Sequence, residues 1–248
     1  MAHATGGSKS VGVNFNDWQG TSNSERYSGG DVTQFLSSPA SWKHDFVQGS
    51  IGPVAQPPLP TVQAVKGQTI WYQTHVYFPV GYDYLSDNGG INGGGRLKFM
   101  RHANYRGDGT LRNYSDIYIN WNNAPQSWEY TYEGAAGFVR FGTSTNADFP
   151  TLGAWTEVQF AVTLDTAPQD SGGQAMVRMW VDDKFLGEIT SKPTITDDND
   201  YYAFQLFMPT WNGDAPATQT MWLDDVVLTT TPPQTTDAGG RPKIARKN

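Results

Sequence analysis

The run Arg96-Leu-Lys-Phe-Met-Arg-His102 is a locally basic row in an acidic chain of 248 residues. Read as an extended strand, simple alternation puts Arg96, Lys98, Met100 and His102 on one face and Leu97, Phe99 and Arg101 on the other. A guanidinium and an ammonium in such a row can neutralise a carboxylate, and an imidazole beside them can carry protons near neutral pH. Asp116-Ile-Tyr-Ile-Asn120 reads as a second strand, with Ile117 and Ile119 inward and Asp116, Tyr118 and Asn120 outward. In a third, Tyr202, Phe204, Leu206 and Met208 oppose Ala203, Gln205 and Phe207. Arg96 or Lys98 would then meet an anion, His102 or a tyrosine would move protons, and Asn120 or Gln205 would supply an amide. The plain alternative for each is a solvent-facing residue that keeps a strand soluble.

Aromatic rings outside a core are a second signal, because they stack on the C–H faces of sugar rings while neighbouring polar groups bond the hydroxyls. Trp121, Trp128, Trp180 and Trp211 fall on polar faces or in loops, and some of them must be core. Arg178 lies on the polar side of its strand, and His75 stands between Trp71 and Tyr77 as an alternative imidazole or a packed, satisfied one.

These residues need strands to position them, and the chain is written as strands. Ile70, Tyr72, Thr74, Val76 and Phe78 oppose Trp71, Gln73, His75 and Tyr77; Thr156, Val158, Phe160, Val162 and Leu164 oppose Glu157, Gln159 and Thr163; Val177, Met179 and Val181 oppose Met176, Arg178 and Trp180. The 27 Gly and 15 Pro are spread between such runs as turn signals, and aromatic residues reach 13%. The pattern predicts an all-β sandwich or jelly roll of two antiparallel sheets with very little helix. We read residues 1–10 as a flexible leader, 11–230 as a single domain and 231–248 as a loose tail. A net charge of −7 argues against nucleic acid or an anionic membrane as the main ligand, and no apolar run is long enough for a membrane span. Cysteine is absent, so disulfides contribute nothing.

Tyr77-Phe-Pro-Val-Gly-Tyr82 followed by Gly93-Gly-Gly-Arg-Leu-Lys98, and Phe204-Gln-Leu-Phe-Met-Pro-Thr-Trp-Asn-Gly213 followed by Thr220-Met-Trp-Leu-Asp-Asp-Val-Val-Leu228, resemble segments of concanavalin A-like jelly-roll polysaccharide lyases of the alginate and glucuronan lyase type. Trp155 to Phe160 and Val177 to Asp183 are similar to the paired central strands of lectin-like sandwiches. The family's Gly-Gly-Lys is replaced by Gly94-Gly95-Arg96, with Lys98 two places on.

The resemblance implies β-elimination on a uronate polymer, in which the substrate carboxylate is neutralised, the C5 proton removed and the leaving glycosidic oxygen protonated. For that chemistry the strand faces offer Arg96, Lys98, His102, Tyr118, Asn120 and Gln205 for catalysis, and His75, Arg178, Trp180, Trp211 and Trp121 for substrate binding. A non-catalytic carbohydrate-binding module or lectin is the alternative. A glycoside hydrolase ranks third, because Glu129 and Glu133 lie about 13 Å apart along a strand, too far for a retaining pair. A structural calcium ion is expected at Asn16, Asp17 and Asp224, with Asn14 and Asp225 as further oxygen donors and no cofactor needed for the reaction. The expected partner is an acidic polysaccharide acted on by a secreted or periplasmic monomer, with no nucleic acid or membrane involved.

Overall fold

A computed structural model describes residues 9–10, 28–38, 40–52, 64–84, 96–106, 108, 110–120, 127–132, 135–142, 146–173, 175–195, 201–206 and 209–245, with residues 201–206 described by their backbone. The described residues form fifteen strands: β1 (Lys9–Ser10), β2 (Ser28–Asp31), β3 (Ser41–Phe46), β4 (Ala64–Val65), β5 (Thr69–Tyr77), β6 (Arg96–Arg106), β7 (Leu111–Asn120), β8 (Ser127–Tyr132), β9 (Ala135–Arg140), β10 (Trp155–Thr163), β11 (Met176–Val181), β12 (Lys184–Ile189), β13 (Tyr201–Leu206), β14 (Thr210–Asn212) and β15 (Gln219–Thr229). They make two antiparallel sheets. One has eight strands in the order β12-β11-β10-β5-β15-β3-β2, with β1 on β15; the other has seven in the order β4-β13-β6-β7-β8-β9, with β14 on β6. Helix among the described residues is limited to short 3-10 turns at Asn146–Asp148 and Gln169–Ser171. This is the jelly roll that the alternation predicts.

The inner faces follow the apolar period of two. Ile70, Tyr72, Val76 and Phe78 of the β5 region, Val158, Phe160 and Val162 of β10, and Ile117 and Ile119 of β7 all enter one core between the sheets. The β11–β12 turn puts Asp182 and Asp183 at φ of 43° and 67°, the left-handed pair that a two-residue hairpin of matching twist demands.

Strand β6 departs from simple alternation. Lys98 pairs with Tyr118 and Met100 with Ile117, so Phe99 is an extra residue, a bulge, opposite β7. Leu97, Phe99 and Met100 are all core residues, and the facing of the strand is inverted beyond them. Arg101 therefore pairs with Asp116 on the outer face, while His102 pairs with Ser115 and is buried, 1% exposed. The expected row of Arg96, Lys98, Met100 and His102 is corrected to Arg96, Lys98 and Arg101. The cause is that one inserted residue exchanges the two faces of everything after it.

Two histidines lie inside the sandwich. His102 Nδ1 is 2.6 Å from the Tyr72 hydroxyl, whose pKa burial holds well above the usual phenol value, so Tyr72 keeps its proton. His44 is packed between the Trp42 and Phe46 rings at centroid distances of 4.7 and 4.8 Å. Burial drives both imidazoles down to about 3.

Residues 231–245, part of the segment expected to be a loose tail, make specific contacts with the sandwich. Thr236 and Pro242 form an antiparallel bridge, and the segment lies against the outer face of the eight-stranded sheet. Ile244 packs on Trp71, Ala161 and Trp180; Gln159 bonds the Ile244 carbonyl and amide at 2.9 and 3.0 Å; and Lys243 reaches Glu157 and Asp183. Its polar composition reads as loose, yet its hydrogen bonds and one apolar side chain find a sheet face already carrying their partners.

The buried imidazoles set a pH dependence. The folded protein holds both neutral down to about pH 3, whereas the unfolded chain takes up protons near 6.5, so stability falls as pH drops from 6.5 toward 3. Urea unfolding should show a loss of about 2–3 kcal/mol between about pH 7.5 and pH 5.5, roughly 1.4 kcal/mol per histidine. Replacing His44 and His102 together by Gln should remove most of that slope.

Candidate functional site

Strands β6 to β9 present their outer faces side by side, and the register builds the site. Lys98, Tyr118, Glu129 and Arg140 occupy one cross-strand row, and Arg101 pairs with Asp116, which in turn pairs with Thr131. Such neighbours stand close enough for their side chains to meet.

Two carboxylates organise three cations. Asp116 receives Arg101 in bidentate fashion, Nε at 2.8 Å and Nη2 at 3.0 Å, while Lys98 Nζ stands 3.5 Å away and the Tyr118 hydroxyl donates at 3.1 Å. Glu129 accepts from Arg96 Nε at 3.2 Å, Asn120 Nδ2 at 2.8 Å and Ser127 Oγ at 3.2 Å. The rings of this face sit against the cations: Arg96 lies 4.1 Å from the Phe138 centroid and Arg101 lies 3.5 Å from that of Tyr114. Phe138 meets Tyr118 edge-on at 5.3 Å, and the Lys98 ammonium is 5.8 Å from the Tyr118 ring centre.

Burial raises the cost of leaving any member of these pairs without its partner. Asp116 is 2% exposed and Tyr118 4%. Burial raises the Tyr118 pKa above the ordinary phenol value, and Asp116 raises it further by accepting the proton-bearing bond and by its charge. Burial opposes the charge on Arg101, but Asp116 outweighs that and holds the guanidinium above its usual pKa. The result is a protonated phenol set among fixed cations, a neutral proton donor beside positive charge.

The structure thus brings together Arg96, Lys98, Tyr118 and Asn120 from the expected set. The alternation missed Arg101, and the adjacent apolar pair Phe99-Met100 was the available signal of the bulge that turns it outward. Phe138 and Tyr114 were missed too, with no motif to mark them. Glu129, read only as half of a hydrolase pair, is engaged with Arg96, Asn120 and Ser127; Glu133 lies outside the described residues.

Other expected residues lie elsewhere. His102 is in the core, and Gln205 is its backbone partner across β13 and β6. Trp211 is 2% exposed and meets Phe46 edge-on at 6.2 Å in the core, because β14 continues the pairing along β6 with Trp211 opposite inward-facing Leu97. Trp128 is likewise core, its indole donating to the Asp148 carbonyl at 3.0 Å.

His75, Arg178 and Trp180 belong to the outer face of the other sheet. His75 is near Glu157 at 3.8 Å, Trp180 donates to Asp237 of the C-terminal segment at 2.9 Å, and Arg178 pairs with Glu188 at 2.6 Å. Alternation gives the facing of a side chain within its strand but not the sheet to which the strand belongs. Trp121, Asn16 and Asp17 lie outside the described residues.

Asp224, the remaining expected calcium ligand, is committed to backbone. Its Oδ2 accepts the Leu36 and Ser37 amides at 2.8 and 2.9 Å, and its Oδ1 accepts the Asp225 amide at 2.7 Å. Burial raises its pKa, which these bonds oppose. It fastens the chain after β2 to β15, a stabilising task of its own. No group of three or more His, Asp or Glu side chains suited to a metal occurs among the described residues.

No protein-family model matches the chain, and no curated protein sequence matches it. Solved structures do. The endo-β-1,4-glucuronan lyase from the fungus Trichoderma reesei superposes with a TM-score of 0.54 at 14% identity, over 87% of this chain and 92% of that one. Alginate lyase Aly36B gives 0.56 at 13% identity over 92% and 93%, and alginate lyase vAL-1 from Chlorella virus gives 0.51 at 12% over 81% and 88%. Variants of Aly36B were solved with an alginate trisaccharide and tetrasaccharide. At this identity the likeness is one of fold: the chain shares the jelly roll of these lyases.

Proposed function

We propose that the outer face of the seven-stranded sheet binds an acidic, uronate-containing polysaccharide and cleaves it by β-elimination. The observation that carries this reading is that Lys98 and Arg101 gather on the Asp116 carboxylate to which the protonated Tyr118 hydroxyl also donates, with Arg96 held by Glu129 on the same face. The fold shared with glucuronan and alginate lyases supports it.

In this reading Arg96, Arg101 and the Asn120 amide meet the uronate carboxylate, and neutralising that group acidifies the C5 proton. With His102 in the core, proton transfer falls to Tyr118, with Lys98 across the strand pair beside it. Tyr118 gives its proton to the glycosidic oxygen as the C4–O bond breaks, and its oxygen takes the C5 proton as the C4–C5 double bond forms. The phenol is restored at the end, so its raised pKa is no obstacle: no free phenolate has to exist beforehand. The flanking cations stabilise negative charge on the phenolic oxygen and on the substrate during the step.

A non-catalytic binding face is the second reading, favoured by the deep placement of Tyr118 and its bond to Asp116. Incubation with polyglucuronate and alginate, followed by absorbance of unsaturated uronate, separates the two. We expect absorbance to rise, Tyr118→Phe to reduce the rate by about 100-fold or more with polymer retention kept, and Lys98→Ala to weaken both. Retention of either polymer without absorbance would establish the binding reading; new reducing ends without absorbance would point to hydrolysis; no retention and no product would end both proposals for this face.

Asp116 ties the site to stability. Asp116→Asn leaves Arg101 and Lys98 without their shared counter-charge in a mostly covered position, and should cost about 3 kcal/mol in urea unfolding. Because Arg101 would also lose its bidentate anchor, turnover should fall even at temperatures where the variant remains folded.

A further inference from the structure

The opposite side of the molecule carries an aromatic row that the proposed reaction does not use. Trp155 of β10 is in register with Tyr77 of β5, Tyr77 with Trp222 of β15, and Trp222 with Lys43 of β3. All four are partly exposed, and none of the three rings belongs to the core between the sheets. The Trp155 and Tyr77 centroids are 5.5 Å apart and tilted by 51°; those of Tyr77 and Trp222 are 5.7 Å apart at 74°. The outer indoles are two strand intervals apart, about 9.5 Å, a span suited to two consecutive sugar rings.

Polar groups close one end of the row. The Trp222 indole donates to Asp31 Oδ2 at 2.9 Å, and Lys43 pairs with Asp45 at 3.3 Å. Beyond Trp222, a recess of about 380 Å³ is lined by Gly30, Asp31, Val32, Lys43 and Asp45. The next cross-strand row along the sheet holds Glu157, His75 and Asp224. Rings that offer apolar faces beside short-range donors and acceptors match a pyranose, whose C–H faces are apolar and whose rim is hydroxyl.

Charge decides which pyranose. Around the recess Asp31 and Asp45 outnumber Lys43, so a uronate would meet repulsion here, whereas a neutral hexose would not. We propose that Trp155, Tyr77 and Trp222, with the Asp31–Lys43–Asp45 recess, form a second glycan-binding site, selective for a neutral hexopyranose chain. It goes beyond the acidic-polymer reading and does not depend on it.

Electrophoresis of the full chain through native gels containing barley β-glucan or hydroxyethylcellulose tests the site, and neither probe contains uronate, so the result stands apart from the elimination assay. The wild type should be retarded, and Trp155→Ala should weaken retardation by about tenfold. Cellohexaose should also shift the wild-type tryptophan fluorescence, with a smaller shift in Trp155→Phe, a ring-conserving change that keeps the assay informative should Trp155→Ala not fold. Unretarded wild-type migration in both gels, or retardation of a folded Trp155→Ala protein equal to that of the wild type, would overturn the proposal.

Discussion

The residue on which the functional face depends is Phe99, the bulge in β6. Between Lys98 and Met100 the strand carries one residue more than its partner β7, and it accommodates this by turning Leu97, Phe99 and Met100 all into the core. From that point its facing is exchanged. Arg101 emerges beside Lys98 and directly opposite Asp116, and His102 goes inward to the Tyr72 hydroxyl. A regular strand would put a cationic imidazole precursor on the surface and bury a guanidinium, which cannot shed its charge and has no carboxylate in the core within the pairing described. The bulge therefore resolves an electrostatic problem and a packing problem together.

Asp116 carries the consequence into the site. One carboxylate holds a bidentate guanidinium, approaches an ammonium and accepts the Tyr118 proton-bearing bond, all at low exposure. Ion pairs in such places lose much of their attraction to desolvation, so their value is in placing charge rather than in adding stability. Here they hold cations in fixed positions around a phenol before any ligand arrives, which is what stabilisation of a developing negative charge requires. Glu129 does the same for Arg96 and Asn120 one strand further on.

The two outer faces have opposite characters. The seven-stranded sheet presents arginines and a lysine, with Phe138 and Tyr114 against them. The eight-stranded sheet presents carboxylates and aromatic rings, and the segment 231–245 covers the part around Trp71 and Trp180 while the Trp155–Tyr77–Trp222 row remains partly exposed. A net charge of −7 thus averages two surfaces of different charge character.

The strands themselves were legible in the sequence, because apolar residues at every second position are both the cause of sheet burial and its visible trace. Ile70 to Phe78, Thr156 to Leu164 and Val177 to Val181 faced as their alternation says. Arg96, Lys98, Tyr118 and Asn120 share the outer face that their alternation predicts, since each lies on a regular strand segment or before the bulge. Three things were left to the tertiary structure. Long-range pairing alone assigned His75, Arg178 and Trp180 to a different sheet from Lys98, a fact with no local signature. Packing alone made Trp211 a core residue and ordered the polar C-terminal segment. And the exchange of Arg101 for His102 at the surface rests on a single unpaired residue, because alternation is a parity and any one insertion reverses it.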